Sequence, residues 1–175
     1  HFYSDVPASL LQLEILETSA LEDVTHVFQV IEACREMGVM FALDDFGTGY
    51  SSLTYLKHLP VALLKIDQSF VLGMLDDPDD LSILKGVVGL ASAFRLEVIA
   101  EGVESLEHGA LLLQLGCEQA QGFGIAAPMA AHELPNWVAT WWQSSDWCNL
   151  PSASKEDLVR LMACVELRAW IKAMD

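Results

Sequence analysis

The sequence predicts an α/β fold with parallel strands, because segments patterned like strands and segments patterned like helices alternate along the chain five times. Two further observations support this: polar residues stand at the end of each strand, and 53% of the 175 residues are hydrophobic, enough for a large core. The predicted strands are residues 10–16, 39–45, 62–67, 97–104 and 119–125, and the predicted helices are residues 21–38, 50–60, 80–95, 105–116 and 132–142.

The first predicted strand, the helix after it and the second strand each have a distinct residue pattern. Residues 10–16 (LLQLEIL) alternate well enough for a strand, and residues 21–38 carry apolar side chains at helical spacing, with Gly38 as a stop. Residues 39–45 (VMFALDD) form a nearly continuous apolar run, which is typical of a strand buried on both faces. Together they predict a strand, a returning helix and a second, parallel strand.

The later units are bounded by turn residues. Pro60 ends the short helix that begins at residue 50, and Gly116 closes the helix over residues 105–116. Residues 143–155 are polar and include a proline, as is typical of a linker, and the apolar residues of 156–175 have the spacing of an amphipathic helix. We therefore expect a domain over residues 1–142, a linker over residues 143–155 and a C-terminal helix over residues 156–175.

Strand ends distinguish between two architectures. A doubly wound sheet concentrates its site at one switch point, whereas a barrel collects side chains from the ends of many strands. Polar residues at five successive strand ends therefore favour part of a (β/α)₈ barrel. These residues are Glu14, Glu17, Asp44, Asp45, Lys65, Asp67, Glu101, Glu104 and Gln121. A whole barrel needs about 200–250 residues, so we expect about three further β/α units before His1.

Charge and composition exclude several functions. The formal net charge is −16, which argues against binding to nucleic acid. No apolar run approaches the length of a membrane span, and the four cysteines and five histidines show no metal-binding spacing. We expect a cytoplasmic chain with reduced thiols and no membrane segment.

The acids at the strand ends predict a metal site. Glu14, Asp44, Asp45 and Glu101 would share one mouth, where four carboxylates cannot all ionise without counter-charge. Oxygen ligands without His or Cys suit Mg²⁺, Mn²⁺ or Ca²⁺, and a metal pair is a common device for phosphoester hydrolysis. Lys65 could neutralise a phosphate or steady the attacking water.

Each acid also has a local alternative. A single Asp at a strand end is usually a helix cap or a solvated group, and Glu17 could be such a cap. Glu104 could be a first-turn helix acid, and Gln121 could satisfy the backbone. Only the joint pattern over five strands favours a shared site.

Five segments, in this order and spacing, resemble the later part of the EAL domain. They are LEILE (13–17), LDDFGTGYSSL (43–53), LKID (64–67), IAEGVE (99–104) and AQGFGIAAPM (120–129). The similarity runs from about residue 10 to residue 140. It implies a barrel of the (β/α)₈ type and hydrolysis of cyclic di-GMP to linear pGpG with Mg²⁺ or Mn²⁺, in bacterial signalling.

The resemblance implies a role for each matching residue. Glu14, Asp44, Asp45 and Glu101 would be metal ligands, with two metals in the site. Lys65, Glu101 and Asp67 would take part in catalysis, and Gln121 and Pro128 would line the substrate. Glu17 would hold the glycine-bearing loop after Asp45, with Glu104 in support, and that loop would lie at the contact of a homodimer.

Departures from the family pattern bear on activity. The tripeptide Glu-Ala-Leu and the asparagine of the following strand, both metal ligands in the family, do not occur in this sequence. Ala62 and Ala127 stand where Asp and Arg are common. We therefore expect an incomplete EAL domain, weak or inactive by itself, that associates as a homo-oligomer. The alternatives are an inactive module that binds cyclic di-GMP, metal or a protein, a fragment without function, and an ordinary enzyme whose first half is not included.

Overall fold

The computed structural model of the chain describes residues 7–49 and 53–144. The strands are β1 (Gln12–Leu16), β2 (Met40–Phe46), β3 (Leu63–Ile66), β4 (Glu97–Ala100) and β5 (Gln119–Ala120). The helices are α1 (Glu17–Glu22), α2 (Val24–Glu36), α3 (Leu53–His58), α4 (Gln68–Gly73), α5 (Pro78–Phe94), α6 (Leu106–Leu115) and α7 (Leu134–Ser144). A short 3₁₀ turn, Ala8–Leu10, precedes β1.

The five strands form one parallel sheet in the order β1-β2-β3-β4-β5. Each strand thus pairs with the next one in the chain, and the order never reverses as it does in a doubly wound sheet. This is the arrangement of a barrel wall, and it confirms the predicted partial (β/α)₈ barrel. All carboxyl ends of the strands therefore lie along one edge.

Two apolar clusters cover the two faces of the sheet. The main core joins the helices to one face and includes Leu43, Leu64 and Ile66. The other face carries a small separate cluster of Ala42, Leu63 and Ile99, all buried. Side chains on a strand alternate between faces, so residues two positions beyond the small cluster point to its side, toward the carboxyl end. Those residues are Asp44, Lys65 and Glu101.

The edges of the sheet are less covered than its centre. Strand β1 pairs with β2 over five residues, yet Leu13 and Leu16 on β1 are about two-fifths exposed, as is Met40 at the start of β2. Strand β5, at the other edge, has only two residues. An edge strand leaves a row of backbone groups available for pairing, so both edges are places where further chain can add.

The predicted helix over residues 21–38 is two helices. Helix α1 already begins at Glu17, and Asp23 separates it from α2. The Asp23 carboxylate accepts a hydrogen bond from the backbone N–H of His26, and this cap starts the second helix. Periodicity alone did not indicate the break.

Other boundaries also differ from prediction. Strand β4 ends at Ala100 because Gly102 turns the chain at φ 74°, a left-handed conformation that favours glycine. Helix α4, which Asp67 caps, was not predicted. Helix α7 continues through Ser144, into the predicted linker, and the rest of that linker and the predicted C-terminal helix lie outside the described residues.

No helix within 7–49 and 53–144 is long and apolar enough to cross a membrane.

Candidate functional site

Lys65 lies at the centre of the polar carboxyl end of the sheet. Its side chain is only 3% exposed. The Nζ atom lies 2.7 Å from Glu14 Oε1, 2.9 Å from Asp44 Oδ1 and 2.5 Å from Glu101 Oε1. These acids come from β1, β2 and the residue after β4, so the parallel register gathers four strand ends around one ammonium. We call Glu14, Asp44, Asp45 and Glu101 the carboxylate cluster.

The cluster fixes the charge of this lysine. Burial by itself lowers the pKa of Lys65, but hydrogen bonds to Glu101, Glu14 and Asp44 and the charge of Glu101 outweigh it, so the pKa is raised above its usual value. Lys65 is thus a permanent cation at neutral pH. It can stabilise negative charge or orient a water molecule, but it cannot accept a proton.

Asp44 and Asp45 reach the same mouth although they are neighbours on a strand. Adjacent side chains normally point to opposite faces. Here the register slips between Leu43 and Phe46: three steps on β2 oppose two steps on β3. Asp45 also takes a left-handed conformation, with φ 55°, which is uncommon outside glycine. Bulge and turn together bring both carboxylates to one side.

Three members of the cluster form a candidate cation site. One carboxylate oxygen from each of Asp44, Asp45 and Glu101 lies within 4.8 Å of the others. Mg²⁺ is ligated at about 2.0–2.1 Å, so three oxygens this close to one another can bind one ion if they move inward. Oxygen donors of this type fit a hard divalent cation.

The charge balance of the carboxylate cluster also favours a bound divalent cation. Four carboxylates, from Glu14, Asp44, Asp45 and Glu101, face one ammonium, which leaves three negative charges at the mouth. A divalent cation would offset most of them. Glu14 contacts Lys65 and is not one of the three carboxylates that lie together, so its part as a metal ligand stays a prediction.

Gln121 joins the cluster from the last strand. Its Nε2 donates to Glu101 Oε1 at 2.8 Å, and its backbone N–H donates to Ala100 O at 2.9 Å. The side chain therefore fixes the orientation of Glu101. Pro128 is exposed, in the segment between β5 and α7. The contacts of Gln121 and Pro128 with a substrate stay predictions.

Glu17 holds the glycine-bearing loop. This side chain is 1% exposed, and its Oε2 accepts hydrogen bonds from the N–H of Gly47 at 2.9 Å and of Gly49 at 3.1 Å. A Cβ at Gly49 would lie 3.0 Å from the Glu17 carboxyl carbon, so any larger residue there would push this carboxylate away from the loop by a few tenths of an ångström. The buried carboxylate is thus matched by two N–H donors 30 and 32 residues away in the chain.

Asp67 and Glu104 make local contacts instead. The Asp67 carboxylate accepts from the N–H of Ser69 at 3.0 Å and from the Ser69 hydroxyl, which makes it the cap of α4. Glu104 is exposed, and its N–H donates to His108 Nδ1 at 3.4 Å. The catalytic role of Asp67 and the supporting role of Glu104 stay predictions.

Tyr55 makes a contact that the sequence did not indicate. Its hydroxyl donates to the backbone oxygen of Ala20 at 2.9 Å, which ties α3 to α1. Burial raises the pKa of Tyr55, and the negative charge of Glu17 raises it further. In sequence Tyr55 is one more apolar position of a short helix, so no local signal marks it.

Comparison with protein families identifies the EAL domain. The model of the EAL domain family matches residues 2–128. The cyclic di-GMP phosphodiesterase PA2567 of Pseudomonas aeruginosa is 41% identical over 134 residues, which cover 77% of this chain and 23% of that protein. The chain thus spans about a quarter of that relative.

Solved structures agree with the sequence comparison. The phosphodiesterase MucR of Pseudomonas aeruginosa, in complex with cyclic di-GMP, matches with TM-score 0.73 and 41% identity, over 76% of this chain and 54% of that one. BlrP1 of Klebsiella pneumoniae, in complex with manganese and cyclic di-GMP, matches with TM-score 0.66 and 29% identity, over 71% of this chain and 32% of that one.

Proposed function

Because this chain belongs to the EAL domain family, we propose that its carboxylate cluster is part of a site that hydrolyses cyclic di-GMP to linear pGpG. The observation that carries the proposal is the gathering of Asp44, Asp45 and Glu101 within 4.8 Å, beside a lysine held as a cation. The described relatives include a phosphodiesterase for this nucleotide and two structures with it bound.

The side chains divide the work of phosphodiester hydrolysis. Asp44, Asp45 and Glu101 would hold the metal, which when bound supplies Lewis-acid polarisation of a phosphate oxygen and an activated water. Lys65 places a fixed positive charge where negative charge develops on the phosphate or the attacking water. Gln121, through its bond to Glu101 Oε1, keeps that carboxylate turned toward the site.

The metal would be Mg²⁺ or Mn²⁺, with up to two ions in the site. A donor set of carboxylates supports both, and neither histidine nor cysteine lies among the three gathered side chains. The manganese complex of BlrP1 supports Mn²⁺ as the first ion to test.

Turnover of cyclic di-GMP with Mn²⁺ tests the proposal. The wild-type chain should produce pGpG weakly, as expected of an incomplete domain, and Glu101→Gln should lower kcat/KM by at least about a hundredfold, since even substitutions of residues that only support a metal ligand cost about 10–100-fold. Glu107→Gln, an exposed acid on α6, is the matched control and should leave kcat/KM unchanged. Mn²⁺-independent turnover, or equal losses in both variants, would contradict the proposal.

A second function is a module that binds cyclic di-GMP, metal or a protein without turnover. One observation favours it: Glu14, Asp44 and Glu101 already pair with Lys65, which offsets part of their charge without a bound metal. Calorimetry with cyclic di-GMP and Mn²⁺ separates the two. Tight binding without pGpG formation supports the module, whereas pGpG formation supports the enzyme.

We also propose that the chain associates as a homodimer. Leu13, Leu16 and Met40 at the β1 edge are partly exposed apolar side chains, and edges of this kind pair with further chain. Sedimentation equilibrium should give twice the chain mass. A folded monomer at micromolar concentration would rule the dimer out.

The location we propose is the cytoplasm. Cys34 and Cys117 carry thiols and not disulfides, as expected in a reducing compartment. Fractionation of cells that express the protein should find it with cytoplasmic markers, and recovery with an extracellular or periplasmic fraction would contradict this.

A further inference from the structure

Helix α1 makes contacts with two segments: the loop that follows Asp45, and helix α3, which comes after that loop. Its first residue, Glu17, accepts hydrogen bonds from the N–H of Gly47 and Gly49. One turn later, the oxygen of Ala20 accepts a hydrogen bond from the Tyr55 hydroxyl on α3. Helix α1 is therefore tied both to the loop and to α3.

The opposite side of the loop is also closely packed. A Cβ at Gly47 would lie 2.9 Å from the ring of Phe70 on α4, so the loop fits between α4 and the Glu17 carboxylate with no space to spare. A shift of α1 therefore has to move the loop or break its two hydrogen bonds to Glu17.

Asp45 is the residue most sensitive to such a shift. Its left-handed backbone is unfavourable for a residue other than glycine, so neighbouring contacts must hold it. The Thr48 hydroxyl donates to the backbone oxygen of Asp45 at 2.9 Å. Two residues after Asp45, the N–H of Gly47 donates to the Glu17 carboxylate. Contacts on the loop thus determine where the Asp45 carboxylate lies.

We propose that Tyr55 is a positioning residue: its hydroxyl fixes α1 through Ala20, α1 holds Glu17 against Gly47 and Gly49, and this sets Asp45 within the carboxylate cluster. The contact acts at a distance from the cluster and takes no part in the reaction. The inference rests on the proposed function only in treating Asp45 as a metal ligand.

Hydrogen exchange of the loop amides tests the positioning directly, without metal or substrate. Tyr55→Phe removes only the hydroxyl. Loss of one hydrogen bond of about 0.5–1.5 kcal/mol should speed exchange at Gly47 and Gly49 about two- to tenfold in the 175-residue chain. Amides in the middle of α5, such as that of Val88, serve as an internal reference and should not change.

Ser82→Ala is the matched control. It removes a hydroxyl that donates to the Pro78 oxygen at 2.7 Å, a bond of the same kind on α5. Exchange at Gly47 and Gly49 should equal that of the wild type in this variant. Unchanged exchange in Tyr55→Phe overturns the inference, and so does an equal increase at Val88, because that would be general destabilisation.

Mn²⁺ titration then tests the link to the site. Tyr55→Phe should raise the Kd for Mn²⁺ about two- to tenfold, and it should add nothing further in a Glu17→Gln background, since it acts through Glu17. Additive losses overturn the inference. If Mn²⁺ binds neither the wild type nor the variants, the proposed function fails, while hydrogen exchange still decides whether Tyr55 positions the loop.

Discussion

Acids lie together both in the carboxylate cluster and at the start of α5, where Asp76, Asp77, Asp79 and Asp80 follow one another. The cluster draws its acids from three strands and surrounds a buried lysine. The start of α5 is a local run: Asp77 caps the helix by accepting from the N–H of Asp79 at 2.8 Å, and Asp79 and Asp80 stand in its first turn.

The two groups of acids differ in how their mutual repulsion is relieved. At the helix start, repulsion is relieved by water and by the positive end of the helix dipole, so no bound cation is needed. In the cluster, Asp44 is fully buried and water cannot provide that relief. The density of acid in the sequence is similar in both places, and only burial and convergence separate a candidate metal site from a solvated helix end.

The largest effect should come from removing the counter-charge of the cluster. Lys65→Met leaves buried carboxylates unpaired, so we expect a loss of about 3–5 kcal/mol in the free energy of unfolding, measured with urea at pH 7. Lys85→Met, an exposed lysine on α5 beyond the acidic run, should change stability by less than about 0.5 kcal/mol. A small effect at Lys65 would contradict the buried arrangement.

The same substitution has a predicted pH dependence. A raised pKa in the folded state contributes stability below the unfolded pKa, about 10.4 for Lys, and that stability is lost only as pH rises through the folded value. The deficit of Lys65→Met should therefore stay constant from pH 7 to pH 9 in urea titrations. A deficit that shrinks over this range would mean that Lys65 loses its proton there.

A metal titration should separate the two acidic regions most clearly. Asp45→Asn should raise the Kd for Mn²⁺ by at least about tenfold, because it removes one of three gathered carboxylates. Asp76→Asn makes the same chemical change at the exposed helix start and should leave the Kd unchanged. Equal losses would mean that Mn²⁺ responds to net charge and not to the cluster.

A smaller effect is expected at the loop beside the cluster. Glu17→Gln weakens two hydrogen bonds to a buried charged acceptor, so stability should fall by about 1–3 kcal/mol. Glu32→Gln is the control: this acid pairs with Arg35 at the surface, 3.2 Å away, and its loss should cost less than about 1 kcal/mol. Similar losses of stability in both variants would mean that the hydrogen bonds of Glu17 to the loop stabilise the fold no more than a surface ion pair.

The smallest effect belongs to the helix start. Asp77→Ala removes a capping hydrogen bond and should cost about 1 kcal/mol of stability, without a change in the Kd for Mn²⁺. Urea unfolding and the Mn²⁺ titration check the two halves of this expectation. A weaker Mn²⁺ affinity in this variant would mean that the start of α5 contributes to Mn²⁺ binding, contrary to this expectation.

Much of the fold could be predicted from the sequence because its signals are local. The alternation of patterns gave the parallel sheet, and the polar strand ends gave a barrel order, which the strand order confirms. Gly116 was predicted to close a helix, and it caps α6. The break at Asp23 and the short helix α4 were missed, because a cap and a six-residue helix leave little periodicity to detect.

The order of residues already shows which acids follow which strands, and it contains the motifs that mark the family. Which of those acids meet depends on the folded chain. A bulge turns Asp44 and Asp45 to one mouth, Lys65 joins acids from three strands, and Asp67 turns away to cap α4. The ion pairs of Lys65 depend on strand register between residues far apart in the chain, which no local pattern records, whereas the Asp67 cap is a local contact with Ser69.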